Sequence, residues 1–234
     1  MSQLKNIKIA VPTYRDSIPS TKQDVKLTPF KVGDEKVLLM ASESKDPQQM
    51  VDSLKSVLSN CVEGVDVNKL ASFDLEYLFL KLRSISVGES VDVGIKCAHC
   101  EAINNVNVDL SSIKVETPEN HNNIIKIDND IGFKMKYPDV SEIAVGDIDD
   151  FENILNVIIN SVETVYYGEE VIEVGIDEKN DLKDIINNLT STQFQPFQEF
   201  FTTMPKVKKD IIFKCKECGE DNKQVLEGLA SFFS

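Results

Sequence analysis

Apolar residues at helical spacing fill two blocks of the chain. Each block gives way to an alternating stretch that runs into a Cys-x-x-Cys pair. Residues 1–32 precede the first block, where Pro12, Pro19 and Pro29 interrupt any regular element. There "STKQDVKLTPF" reads as an exposed strand or arm. "DEKVLLMASES" opens the helical region. In "SKDPQQMVDSLKSVLSNCV", Asp46 is the expected N-cap, and Pro47 suits the first helical position. Met50, Leu54, Val57, Leu58 and Cys61 then share one face. The next helix, "LASFDLEYLFLKLRSIS", has Ser72 as its expected cap. Phe73, Tyr77, Leu78, Leu80 and Leu82 give it apolar surface on more than one side, which predicts a helix sandwiched between neighbours.

The period changes from helical to alternating at Gly88. Val91, Val93 and Ile95 form a half-buried strand that leads into Cys97 and Cys100, and "NNVNVDL" alternates out of the pair. Ile125 and Ile127 face Phe133, Met135 and Tyr137 as a hairpin with one buried side, ended by Pro138. The second helical block begins at "GDIDDFENILNVIINSVETV", with Asp149 or Asp150 as cap and Ile154, Leu155, Ile158 and Val162 inward. "VYYGEEVIEV" predicts a hairpin around Gly168. Leu182, Ile185, Ile186 and Leu189 then form one stripe, and Phe194, Phe197, Phe201 and Met204 another. Such aromatic spacing reads as core packing, with a partner groove as the minor alternative. "KVKKDIIFKC" is a strand entering the second pair, Cys215 and Cys218. The two pairs suggest a weak internal symmetry, two half-sites rather than a full repeat.

Composition narrows the class. The 234 residues, 41% of them apolar, can bury a core in one or two domains. No run of about 18 apolar residues occurs, so no membrane span is expected. "MSQLKNIKIAVPTYRDS" lacks an apolar signal core, which predicts synthesis and retention in a cytoplasm. The net charge of −14 is uneven: Asp109 to Asp184 holds 19 acidic and 6 basic side chains, whereas residues 1–32 hold six basic and two acidic. The acidic stretch reads as a solvated lobe, with a docking face for a basic partner as the sharper alternative. Phosphates would be repelled there, so nucleic acid is not an expected partner.

The fifth cysteine, Cys61, belongs to a helix core, and an odd count without a signal peptide argues against a disulfide framework. A Cys-x-x-Cys pair at the end of a strand forms a tight turn whose amides point at the sulfurs. Two such turns make a four-sulfur tetrahedral site with Zn–S distances of about 2.3 Å. Cys97, Cys100, Cys215 and Cys218 are therefore the candidate ligands of one structural zinc per chain, although 114 residues separate the pairs. Gly219 follows the second pair, where positive φ is often required. Glu101 stands at the matching place and makes the first knuckle the less ideal one. Catalytic zinc would need an open position, which four thiolates close. A redox dithiol, which prefers a helix N-terminus, and two metal-free reduced pairs are the other readings. His99 is a spacer that could replace a cysteine as ligand.

No catalytic constellation is legible. His99 and His121 are the only histidines, and no Gly-x-Ser-x-Gly, phosphate-binding glycine loop or His-Glu-x-x-His occurs. A binding or assembly protein is expected rather than an enzyme. The fold expected is α+β: helical blocks packed with short antiparallel strands, and two knuckles forming a zinc-ribbon-like site. Four regions are anticipated: an extended N-terminal arm at 1–32, a helical region with the first knuckle at 33–108, an acidic inserted lobe at 109–206, and the second knuckle with a C-terminal tail at 207–234.

"TPFKVGDEKVLLMASES", "FDLEYLFLKLRSISVGESVDVGIKCAHC" and "KECGEDNKQVLEGLASFFS" resemble the baseplate hub proteins of T4-type contractile-tailed phages, a family of hub subunits and hub assembly factors. Phe73 to Glu89 is the most specific part. The resemblance implies a structural or chaperone-like role in the tail baseplate, with other hub, spike or tail-tube proteins as partners. It places the protein in the host cytoplasm during assembly and, if it is a permanent subunit rather than a transient assembly factor, in the virion tail. The alternative is a zinc-ribbon accessory protein of transcription or recombination that contacts nucleic acid, which the charge balance disfavours.

Overall fold

Residues 9–44, 46–144 and 151–232 are described in the structure, a computed structural model. Within the segment anticipated as an exposed arm, Ile18, Val25 and Leu27 enter the core. Strands β1 (Tyr14–Ser17) and β2 (Asp24–Leu27) form an antiparallel hairpin, and the alternation of β2 turns Val25 and Leu27 inward beside buried Ile18. The hairpin is tied down by Asp74, whose carboxylate accepts hydrogen bonds from both the amide and the hydroxyl of Ser20.

Helix α1 (Val32–Ser44) leads to α2 (Pro47–Cys61). Asp46 caps α2 by accepting from the amides of Gln48 and Gln49, and Pro47 occupies the first turn, where its missing N–H leaves nothing unpaired. Val51, Leu54, Val57, Leu58 and Cys61 are buried, with Met50 at the margin. Strand β3 (Val62–Glu63) follows and pairs with β2.

Helix α3 (Ser72–Ser86) begins one residue earlier than expected. Ser72 is its first residue, Ala71 takes the cap position without a side-chain bond, and the Ser72 amide donates to the Pro138 carbonyl at 3.1 Å. Two hairpins, each with a ladder of seven residue pairs, flank the remaining chain. The first is β4 (Ser90–Lys96) with β5 (Ile103–Asp109). Next come β6 (Lys114–Glu116), β7 (Ile124–Lys126), β8 (Ile131–Met135), α4 (Val140–Ala144), α5 (Phe151–Ser161), β9 (Val162–Tyr167) and β10 (Glu170–Glu173). Then α6 (Lys179–Asn187) and α7 (Ser191–Thr203) precede the second hairpin, β11 (Lys206–Lys214) with β12 (Asp221–Glu227). Thr190 and Gln193 close a capping box on α7. The expected caps Asp149 and Asp150 lie outside the described residues.

Among the described residues, seven α-helices combine with twelve short strands, every paired ladder antiparallel, as an α+β fold. Three apolar clusters form. The first joins the β1–β2 hairpin to α2 and α3. The second lies between the sheet β10-β9-β8-β7 and helices α5, α6 and α7. The third unites the hairpins β4–β5 and β11–β12 with Leu110, Ile113 and Phe232. Helix α3 serves two of them: Leu75, Leu78, Phe79 and Leu82 enter the first cluster, and Leu80 enters the third. Its first turn reaches toward the second, where the Phe73 and Tyr137 rings meet edge-on at 4.9 Å. This explains why the helix is apolar around much of its circumference.

Several expected faces shift. Ile154 and Ile185 lie exposed, and the inward positions are Leu155, Ile158 and Ile159 on α5 and Leu182 and Ile186 on α6. Phe200 is buried with Phe197, whereas Phe194, Phe201 and Met204 are half-buried. Strand β6, within the stretch anticipated as lobe, pairs with β11, so Ile113 and Val115 pack with the two hairpins.

Candidate metal centre

The hairpins β4–β5 and β11–β12 place the four paired cysteines at their tips. Lys96 pairs with Ile103 to close the first tip, and Lys214 pairs with Asp221 to close the second. In each knuckle the first cysteine's amide donates to a carbonyl five residues on: Cys97 to Ala102, and Cys215 to Glu220, both at 2.9 Å. The residue after the second cysteine donates back to the first at 3.0 Å, Glu101 to Cys97 and Gly219 to Cys215. That residue needs a left-handed backbone, φ +59° at Glu101 and +76° at Gly219. Gly219 accepts this freely, and Glu101 carries the strain that its side chain implies.

The tips meet. Cys97 Sγ lies 3.7 Å from Cys218 Sγ, and Cys100 Sγ lies 3.7 Å from Cys215 Sγ. All four sulfurs lie within 4.8 Å of one another. A disulfide would need about 2.05 Å. A tetrahedron of sulfurs about 2.3 Å from a central ion has edges of about 3.8 Å, and the two 3.7 Å separations match it. Cys97 and Cys215 are buried, whereas Cys100 and Cys218 face solvent.

Amide N–H groups converge on the sulfurs. Burial pushes the Cys97 thiol up, but the amides of His99 and Cys100 and the Asn222 side chain outweigh it and hold the thiol below its usual range. Cys215 is drawn down to about 6, chiefly by the Cys218 amide. These bonds favour thiolate, the form that binds metal. His99 points no ring nitrogen into the cluster. Its amide donates to Cys97 Sγ at 3.4 Å while its side chain is exposed, so it is a spacer. Cys61 stands apart in the first core, its thiol pushed up to about 11 by burial.

The sequence shows an Asn after each Cys pair as part of the weak symmetry, but the role of these two residues in the site escaped the sequence reading. Asn104 and Asn222 are each only 3% exposed and hydrogen-bond into the opposite knuckle. Their signal was present: both knuckles read Cys-x-x-Cys-x-x-x-Asn. Elsewhere, Glu76 of α3 accepts from the Leu229 amide and so orders the C-terminal turn rather than standing free. It also lines a cleft of about 280 Å³ with Phe73, Val140, Met204, Pro205 and Gly228, where α3 meets β12.

These features define an α+β protein in which two antiparallel hairpins meet at a four-cysteine cluster of metal-binding dimensions. The chain belongs to the family described as T4 bacteriophage base plate protein, whose model matches residues 11–234. It is thereby a structural protein of the phage baseplate. No curated protein and no solved structure matches it. No helix among the described residues is long and apolar enough to cross a membrane.

Proposed function

We propose that this protein is a component or chaperone-like assembly factor of the hub of a contractile tail baseplate. It acts by protein–protein contact rather than by catalysis, with other hub, spike or tail-tube proteins as partners. It works in the host cytoplasm while the baseplate is built and, as a hub subunit, is carried in the tail. The observation that carries this reading is the family match over residues 11–234. A fold of three small cores, two of them sharing helix α3, clamped at the tips of two hairpins, suits a scaffold on which neighbours are placed.

One structural zinc ion per chain is bound by Cys97, Cys100, Cys215 and Cys218. The sulfur spacing supports it, and four thiolates leave no open coordination position. When bound, the ion would supply a rigid crosslink between two chain segments far apart in sequence.

Capture of a tagged full-length chain during infection tests the role. Hub, spike or tail-tube proteins are expected among the retained proteins. Recovery of none of them, with the tagged chain folded and expressed, would overturn it.

A further inference from the structure

The two knuckles are related more deeply than by their cysteines. Cys97 and Cys215, Cys100 and Cys218, and Asn104 and Asn222 are each separated by 118 positions. The strand pairings follow the same offset, from Ser90↔Asp109 and Lys208↔Glu227 at one end to Lys96↔Ile103 and Lys214↔Asp221 at the tips. Two hairpins of one design therefore face each other about a local two-fold.

The asparagines cross that two-fold. Asn104 Oδ1 accepts from the amide of Lys216, the residue after Cys215, at 2.9 Å. Asn222 Oδ1 accepts from the amide of Ala98, the residue after Cys97, at 2.9 Å. Each Nδ2 donates to a carbonyl of its own knuckle at 3.0 Å, Asn104 to Ala102 and Asn222 to Glu220. Asn104 Nδ2 also approaches Cys215 Sγ at 3.5 Å, and the Asn222 side chain hydrogen-bonds to Cys97. Each asparagine thus bonds to the amide beside a buried sulfur of the other hairpin and to that sulfur itself.

A primary amide is the side chain this position requires. It accepts from a backbone N–H with its oxygen and donates to a carbonyl and a thiolate with its nitrogen. Aspartate, of the same shape, would set a negative oxygen against a thiolate. Leucine would leave the opposite knuckle's amide, that of Lys216 or Ala98, without this partner and would remove the donor to the sulfur. Donation to a coordinating sulfur lowers its charge and fixes its direction, as outer-sphere partners do in metal sites generally.

We propose that Asn104 and Asn222 are crossed positioning residues of a shared four-thiolate centre: each tunes and orients the buried sulfur of the opposite hairpin, so that neither knuckle forms a competent half-site alone. This rests on the zinc reading above and goes beyond it, since that reading requires only the cysteines. Three consequences follow from the two-fold. The two asparagines are equivalent in effect, the charge-introducing substitution to aspartate is worse than simple loss of a side chain, and the sulfurs sense both.

The test uses the full chain, loaded with zinc, cobalt(II) or NMR-active cadmium. Zinc affinity is measured by chelator competition for the unaltered protein, Asn104→Asp, Asn222→Asp and the two corresponding alanine variants. Each aspartate variant is expected to lose roughly 10–100-fold in affinity, with the alanine variants between. The thiolate-to-cobalt charge-transfer band should shift in both aspartate variants, a change that a merely structural role would not produce. The cadmium-loaded unaltered protein needs no substitution. Scalar coupling between the metal and the side-chain amide protons of Asn104 and Asn222 reads the N–H···S bonds directly. Unchanged affinity and an unchanged cobalt band in both aspartate variants would overturn the proposal. If these variants do not fold, absence of cadmium coupling at both asparagines would overturn it. Failure of the unaltered protein to take up zinc or cobalt would instead sink the zinc reading, a separate and recognisable outcome.

Discussion

Cys97 Sγ stands 3.7 Å from Cys218 Sγ, although the two residues are 121 positions apart in the chain. Almost the whole second core, from Ile125 to Phe201, is strung between the two knuckles that these sulfurs belong to. Holding those sulfurs together therefore fixes both ends of that unit at once.

Protein purified under reducing conditions should contain about one zinc per chain, and Cys97→Ser or Cys215→Ser should abolish it. Each loss should lower the thermal midpoint, because the free energy of binding a structural metal is also folding free energy. Elemental analysis alongside thermal unfolding measures both. Full zinc retention in either variant would exclude the tetrathiolate.

Gly219 has φ +76°, and nothing lies within 4 Å of where its Cβ would be. Gly219→Ala should therefore cost about 1 kcal/mol from backbone strain alone, with no steric contribution. The equivalent position, Glu101 at φ +59°, already bears such strain. Denaturant unfolding of the zinc-loaded forms reads the difference.

His121 should make stability fall in mild acid. Its ring lies against Tyr137 and Phe200, and burial holds its pKa below the usual 6.5. Thr203 spends its hydroxyl proton on the Glu199 carbonyl at 2.7 Å, so it accepts from His121 Nδ1 at 3.0 Å, and Tyr137 donates to Nε2 at 2.9 Å. Protonating Nε2 would break that last bond. A histidine with a depressed folded pKa contributes stability that is present above the unfolded pKa and is lost as pH falls through it toward the folded value. The unfolding midpoint should drop from pH 7.5 to about 5.5, and less steeply in His121→Gln. Comparing the two proteins at each pH separates this from acid release of zinc, which both share. Parallel pH profiles would remove His121 as the cause.

Phe197 is wholly buried and meets Phe133 edge-on at 5.2 Å. Phe197→Ala should destabilise the second core by about 3–5 kcal/mol. Because Phe197 belongs to a different cluster from the strands that carry the cysteines, zinc content should stay at that of the unaltered protein. Calorimetry with metal analysis on the same sample tests both statements.

The sequence by itself determined what depends on near neighbours. Asp46 before Pro47 set the start of α2, the alternation through Val93 and Ile95 set β4, and each Cys-x-x-Cys pair set its own turn. These follow from dihedral preferences and hydrogen bonds that close within about five residues. Tertiary structure decided which surface covers which. Ile154 and Ile185 sit on apolar stripes yet face solvent, because the second core takes Leu155, Ile158 and Ile159 on α5 and Leu182 and Ile186 on α6 instead. The β1–β2 segment is drawn into the core by Asp74, 54 positions from Ser20. Asn104 and Asn222 carry no period and no charge, and each acquires its role only when the other hairpin brings a sulfur and an amide within reach. A residue's own neighbours limit its conformation. Its burial and its partners depend on segments whose approach is set by the packing of the whole chain.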